Sequence, residues 1–258
     1  MMNESAIKNV KERLVSERRH DFESLRLLVE VLRSEEGCAW DRIQTHSSIR
    51  SDIIEETYEV VEAIDKEDPD LLREELGDVL FQVMFHSRIE EEAFRFCIDD
   101  VINEIADKMI KRHPHVFGDV KVTSAQEVLE NWEVNKVKEK SRETLRDVLD
   151  AVPKQYPALM RAKKIVKKIR KNEKSAAEGM GASALRSPVE CAADIADLIK
   201  KANSAGPRDR DRIAADIIYS AVLMSSDDAD LEYEISQKTD MLIDNAAGKR
   251  VQETNNET

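Results

Sequence analysis

Four carboxylates stand out by type and spacing: Glu56 with Glu59, and Glu75 with Asp78, each pair three residues apart in a run that reads as helix. A three-residue step turns about 60° around a helix axis, so each pair projects from one face. Two such faces pressed together gather four acids. Crowded and desolvated, these acids would not stay ionised unaided. A hard divalent cation removes the objection, because Mg²⁺ takes oxygen ligands and keeps waters or substrate phosphates in its other positions. The spacing predicts a metal site between helices, open to a phosphorylated substrate. A single acidic pair of this kind is most often a solvated helix face; two pairs flanked by apolar stripes carry more weight.

The elements that must hold these acids are helical. A charged lead-in, 1–20, precedes an amphipathic helix with Phe22, Leu25, Leu28, Val29 and Leu32 on one stripe, stopped at Gly37. A loop through Trp40, Gln44, Thr45 and His46 leads to a second helix carrying Ile53, Ile54, Tyr58, Val61 and Ile64. Asp68-Pro69-Asp70 breaks it and opens a third, from about Asp70 to Glu92, with Leu72, Leu76, Val79, Leu80, Val83 and Met84 expected in its core face. A fourth begins near Asp99 and stops before Pro114. His113–Gly118 reads as a rigid turn, and a shorter helix is expected from Ser124 to Lys140.

The expected organisation is a first helical domain over 21–140, a connector over 141–157 with Pro153 and Pro157, a second helical domain over 158–245 and a disordered tail over 246–258. Within the second domain, 172–188 reads as a flexible loop. The halves form a weak internal repeat. Where the first has its acidic pairs, the second reads Asp194-Ile195-Ala196-Asp197 and Ile213-Ala214-Ala215-Asp216, a depleted ligand set.

Composition narrows the function. Net charge is −13, which argues against nucleic-acid binding. Cys38, Cys97 and Cys191 are far apart and lack zinc or disulfide spacing, and no apolar stretch approaches a membrane span. The expectation is a soluble cytoplasmic protein, all-α because Gly (7) and Pro (6) are too scarce for many tight hairpins.

The stretch Leu25–Lys140 resembles the MazG family of nucleoside triphosphate pyrophosphohydrolases. The motifs that carry the likeness are Gly37-Cys38-Ala39-Trp40-Asp41 with Gln44-Thr45-His46, Glu55-Glu56-Thr57-Tyr58-Glu59-Val60, and Glu74-Glu75-Leu76-Gly77-Asp78-Val79-Leu80-Phe81-Gln82. Arg112-His113-Pro114-His115-Val116-Phe117, Asn131-Trp132-Glu133 and Pro157-Ala158-Leu159-Met160-Arg161-Ala162 continue it in order. Ala39 stands where the family usually has proline.

The resemblance implies tandem four-helix MazG-like domains, the second degenerate, assembled as a homodimer. It implies Mg²⁺-dependent cleavage of a nucleoside triphosphate between the α and β phosphates, giving a monophosphate and pyrophosphate, with Glu56, Glu59, Glu75 and Asp78 as metal ligands. Lys108, Lys111 and Arg112 map to the phosphate-binding cluster and Trp132 to the aromatic that contacts the nucleotide. Glu55 and Glu74 are both candidates for the carboxylate that takes a proton from water, and the residues do not choose between them.

Plainer readings stand beside these. Trp132 alone would be core, Lys108, Lys111 and Arg112 would be charges closing a helix C-terminus, and His113 and His115 would pack a turn. Trp40 is expected as a core anchor and the basic run Arg161–Arg170 as a solvated face. The alternative function is a non-catalytic dimerisation or nucleotide-sensing protein of the same fold. A di-iron carboxylate bundle wants E-x-x-H on two helices, and only Glu17–His20 offers that spacing.

Overall fold

The computed structural model describes residues 4–125, 127–128, 131–132, 144–176 and 185–255, and every regular element among them is helical. The all-α expectation is met. The chain divides into two units, Met1–Asn135 and Lys136–Thr258.

The first unit contains α1 (Glu4–Ser16), α2 (Phe22–Arg33), α3 (Ala39–Ile43), α4 (Asp52–Asp65), α5 (Pro69–Glu92), α6 (Ile98–Arg112) and α7 (Pro114–Phe117). Local chemistry sets the boundaries. Asp21 caps α2 by accepting from the Ser24 amide at 2.8 Å. After α2 the Cys38 amide donates to the Leu32 carbonyl at 2.8 Å. A Cβ on Gly37 would there overlap the carbonyl oxygens of Val31 and Leu32, so only glycine fits the turn. Between α4 and α5, Glu67 adopts a left-handed φ of 52°, and Asp68 accepts from the amides of Asp70 and Leu71, each at 3.0 Å. Pro69 occupies the first turn, where its missing N–H costs nothing. The result is a tight helical hairpin whose two arms pack along each other.

The core lies at one end of that hairpin. Val29 of α2, Ile49, Met84 and Phe85 of α5 and Ile98 of α6 are buried together. Arg33 is buried beside them, paired with Glu92 at 2.8 Å, donating to the carbonyls of Asp41 (2.7 Å) and Gln44 (3.2 Å) and lying 5.1 Å from the Phe85 ring centre. One guanidinium thus ties α2, α5 and the loop around α3 together.

Several expectations need correction. Trp40 is not a core anchor: it is 59% exposed on the short α3, whose residues are all at least partly accessible. The stripe expected to bury α4 is largely open, with Ile54, Tyr58, Val61 and Ile64 exposed; on α5 Leu76 and Leu80 are exposed while Met84 is buried. The helix expected in the lead-in is formed over Glu4–Ser16, but it is not merely solvated: it packs on α2 with Ile7 buried. The His113–Gly118 segment contains the short helix α7, and His113 Nδ1 bonds the Met109 carbonyl at 2.6 Å. The helix expected over Ser124–Lys140 lies largely outside the described residues; positions 125, 127, 128, 131 and 132 are helical.

The second unit holds α8 (Leu145–Asp150), α9 (Ala158–Ala176), α10 (Pro188–Ala202), α11 (Pro207–Met224) and α12 (Leu231–Asn255). A helix therefore falls within 141–157, started by reciprocal capping between Thr144 and Asp147. The helix of α9 persists to Ala176, and 177–184 lie outside the described residues. The last helix extends to Asn255. Val166, Cys191, Val222 and Leu223 form this unit's core. The basic run on α9 is not simply solvated. Arg170 donates to Ser225 O at 2.9 Å and Asp227 at 2.7 Å, and Lys163 to Ser225 Oγ at 3.0 Å, neutralising the carbonyl end of α11.

Candidate metal centre

The acids of the α4–α5 hairpin converge. One carboxylate oxygen from each of Glu56, Glu75 and Asp78 lies within 4.8 Å of the others. Glu59, one turn beyond Glu56, reaches both Glu56 and Glu75 by side-chain hydrogen bonding. Glu75 is buried, 8% exposed, whereas Asp78 lies at the open edge. Three of the four expected ligands therefore meet in one place with Glu59 beside them, because two helices in antiparallel contact each present acids to the seam.

Electrostatics mark the cluster as short of positive charge. Burial pushes the Glu75 carboxyl above its ordinary value, with further upward pressure from Glu59, Glu74 and Asp78. Burial likewise raises Glu56, followed by the charges of Asp78 and Glu59. No Lys or Arg pairs with any of the four among the described residues. An all-oxygen donor set with uncompensated charge and one solvent-facing side suits a hard divalent cation.

The other expected residues are placed unevenly. Glu55 and Glu74 are exposed neighbours of ligand positions, and each adds charge to the cluster. On α6, Lys108 is half-buried and Lys111 exposed. Arg112 is only 6% exposed, with its guanidinium 5.3 Å from the Trp132 ring centre. Arg112 and Trp132 thus form a stacked pair.

A second polar cluster escaped the sequence reading. His46, in the loop before α4, meets His86 of α5 edge to edge, ring planes 8° from parallel and centres 5.0 Å apart, with the Nδ1 atoms 2.7 Å apart. His46 Nε2 meets Glu90, which also pairs with Arg95. The Gln44-Thr45-His46 motif pointed to the loop, but nothing in the sequence linked it to a histidine forty positions away.

In the second unit the hairpin geometry recurs in α10 and α11, but both acids of its first pair are engaged by cations. Asp194 pairs with Arg186 and Asp197 with Lys201 at 2.7 Å, and no convergent acidic group appears there among the described residues.

An all-helical unit with an interhelical carboxylate centre is the class of protein that this fold and site define. Residues 44–117 match the MazG nucleotide pyrophosphohydrolase domain, so the first unit carries a domain of that family. The chain is 47% identical over 134 residues to a nucleoside triphosphate pyrophosphohydrolase of Escherichia coli, covering 52% of this chain and 51% of the relative. It is 46% identical over 144 residues to the nucleoside triphosphate pyrophosphohydrolase/pyrophosphatase MazG of Thermotoga maritima, covering 56% and 54%. It is 51% identical over 148 residues to an uncharacterized protein of Bacillus subtilis, YabN, covering 57% and 30%. The matched parts thus span about half the length of the first two relatives and less than a third of the last.

Proposed function

We propose that the chain is a Mg²⁺-dependent nucleoside triphosphate pyrophosphohydrolase that cleaves between the α and β phosphates. The observation that carries this reading is the coincidence of the MazG match with the convergence of Glu56, Glu75 and Asp78 within 4.8 Å, Glu59 beside them. These four carboxylates would hold the cation, which supplies charge neutralisation for the phosphates and acidifies bound water. Water attacks the α phosphorus, the bond from it to the bridging oxygen breaks, and pyrophosphate leaves. Glu55 or Glu74 takes the proton, each being an exposed carboxylate next to a ligand position. Lys108 and Lys111 offset charge on the pyrophosphate. Arg112 joins them in offsetting that charge, and Trp132, with the Arg112 guanidinium 5.3 Å from its ring centre, offers a flat surface for a base. Recognition by stacking discriminates little among bases, in keeping with housecleaning of canonical and damaged triphosphates.

The exposed apolar side chains of the hairpin, Ile54, Tyr58, Val61, Ile64, Leu76 and Leu80, support assembly as a homodimer. Three free cysteines and the absence, among the described residues, of a helix long and apolar enough to cross a membrane suit work in the cytoplasm.

A panel of ordinary nucleoside triphosphates plus inosine and oxidised analogues, assayed with Mg²⁺ for monophosphate and pyrophosphate separately, tests the reading. Both products should appear with several bases and vanish in Glu56→Ala. Release of inorganic phosphate, or turnover of one base only, would contradict it.

A further inference from the structure

We propose that His46 and His86 form a one-proton clamp that positions the start of α4, and with it Glu56 and Glu59, against α5. The proposal rests on the acidic cluster being the reactive centre.

The geometry limits how many protons the pair can hold. The two Nδ1 atoms are 2.7 Å apart, a distance at which one must donate and the other accept. His46 Nε2 faces the Glu90 carboxylate, so that nitrogen carries a hydrogen. In the neutral pair, His46 Nδ1 accepts from His86 Nδ1–H. With one proton added, His46 is the imidazolium and donates from both nitrogens, to Glu90 and to His86. A second proton would set two N–H groups head to head, and the rings must part.

The charges around the pair come from each element that packs on it. Glu90 of α5 and Arg95 of the α5–α6 loop form an ion pair beneath His46, and the Glu90 carboxyl is pushed down to about 2, chiefly by Arg95 with His46 contributing. Asp52, the first residue of α4, is close enough to favour a charge on His86, yet burial and then the neighbouring His46 hold His86 below its ordinary value. Glu90 thus remains ionised throughout, and His86 is the group that decides whether the clamp is shut.

The clamp matters because of what it joins. The segment containing His46 is held before it by Arg33 on the Gln44 carbonyl and after it by Ile49 in the core. His46 anchors it to α5 directly, just before the chain enters α4. Helix α4 itself buries only Ala63, so its placement depends heavily on how it is introduced.

The test compares the full-length wild type with His86→Gln, His46→Gln and, as a control outside the pair, His115→Gln. Histidine ring NMR in metal-free protein should show His86 titrating below the ordinary range and moving upward in His46→Gln. Melting temperature should fall more steeply from pH 7 to pH 5 in the wild type and His115→Gln than in either clamp variant. In the pyrophosphate assay, kcat of the wild type should drop more steeply on the acid side than that of His86→Gln, with KM little changed, the fall that remains in His86→Gln being protonation of the acidic cluster. Independent titration of both histidines in the ordinary range, or the same acid dependence of melting or of kcat in all four proteins, would overturn the clamp. A chain with the NMR and melting signatures but no pyrophosphate release at any pH would retain the clamp and refute the proposed hydrolase.

Discussion

Glu75 carries the sharpest consequence of the site's electrostatics. Its carboxyl is raised from the ordinary 4.5, first by burial and then by its acidic neighbours. A carboxyl whose folded value is raised binds its proton more tightly in the native state than in the unfolded chain. Its contribution to stability is therefore complete below the ordinary carboxylate value and is lost as pH rises through the raised value. Glu56 acts in the same direction. On this account the metal-free wild type should lose melting temperature relative to Glu75→Gln as pH rises from 5 to 8, and Mg²⁺ should raise the melting temperature more at pH 8. Glu75→Gln removes the repulsion, so the metal-free variant should melt higher than wild type at pH 8 while its pyrophosphate release falls by about 100-fold or more, beyond the usual cost of disturbing an outer-shell partner. Calorimetry with and without chelator, alongside the assay, checks both halves. These four acids were legible in the sequence because i, i+3 spacing and helical period are local properties. The His46–His86 contact and the stacking of Arg112 on Trp132 were not, since both depend on tertiary placement of residues that no short pattern connects.

Among the elements, boundaries were the most readable feature, because stops and starts are written in adjacent residues: Gly37 after α2 and Asp68-Pro69 before α5. Burial was less readable. Amphipathic stripes on α4 and the first half of α5 announce a buried face but do not say what buries it, and within one chain much of that face stays open. Arg33 shows the converse, a charged residue held inside. Its guanidinium is 5% exposed and serves Glu92, the Asp41 and Gln44 carbonyls and the Phe85 ring at once. Arg33→Ala would strand these partners and should cost about 3 kcal/mol of unfolding free energy, measured by urea titration, with α3 and its flanking loop loosened first.

For the molecule as a whole, the repeat seen in the sequence survives as a repeated hairpin, while a convergent acidic group occurs in one copy among the described residues. Asp194 and Asp197 are held by Arg186 and Lys201 rather than facing each other across a seam. Replacing both with asparagine should leave Mg²⁺-dependent pyrophosphate release within about twofold of wild type, with at most a small shift in melting from two surface ion pairs. The engagement of the α9 cations with the end of α11 was hidden because Arg170 meets Ser225 and Asp227 only when distant segments fold together, whereas the connector's helix is written locally, in Thr144 and Asp147 three residues apart.

One asymmetry in the α4–α5 hairpin reaches further. All the buried apolar side chains of α5 lie from Met84 onward, whereas Glu75 and Asp78 sit on its earlier turns and α4 contributes only Ala63. The acid-bearing arm thus has little fully buried apolar surface to anchor it, and local opening there requires less work than global unfolding. A bound cation would complete the folding of that arm. Amide hydrogens of 52–80 should exchange with solvent quickly in chelated protein and become markedly protected with Mg²⁺ and a non-hydrolysable nucleotide, while those of α2 and of 84–92 should be slow in both states.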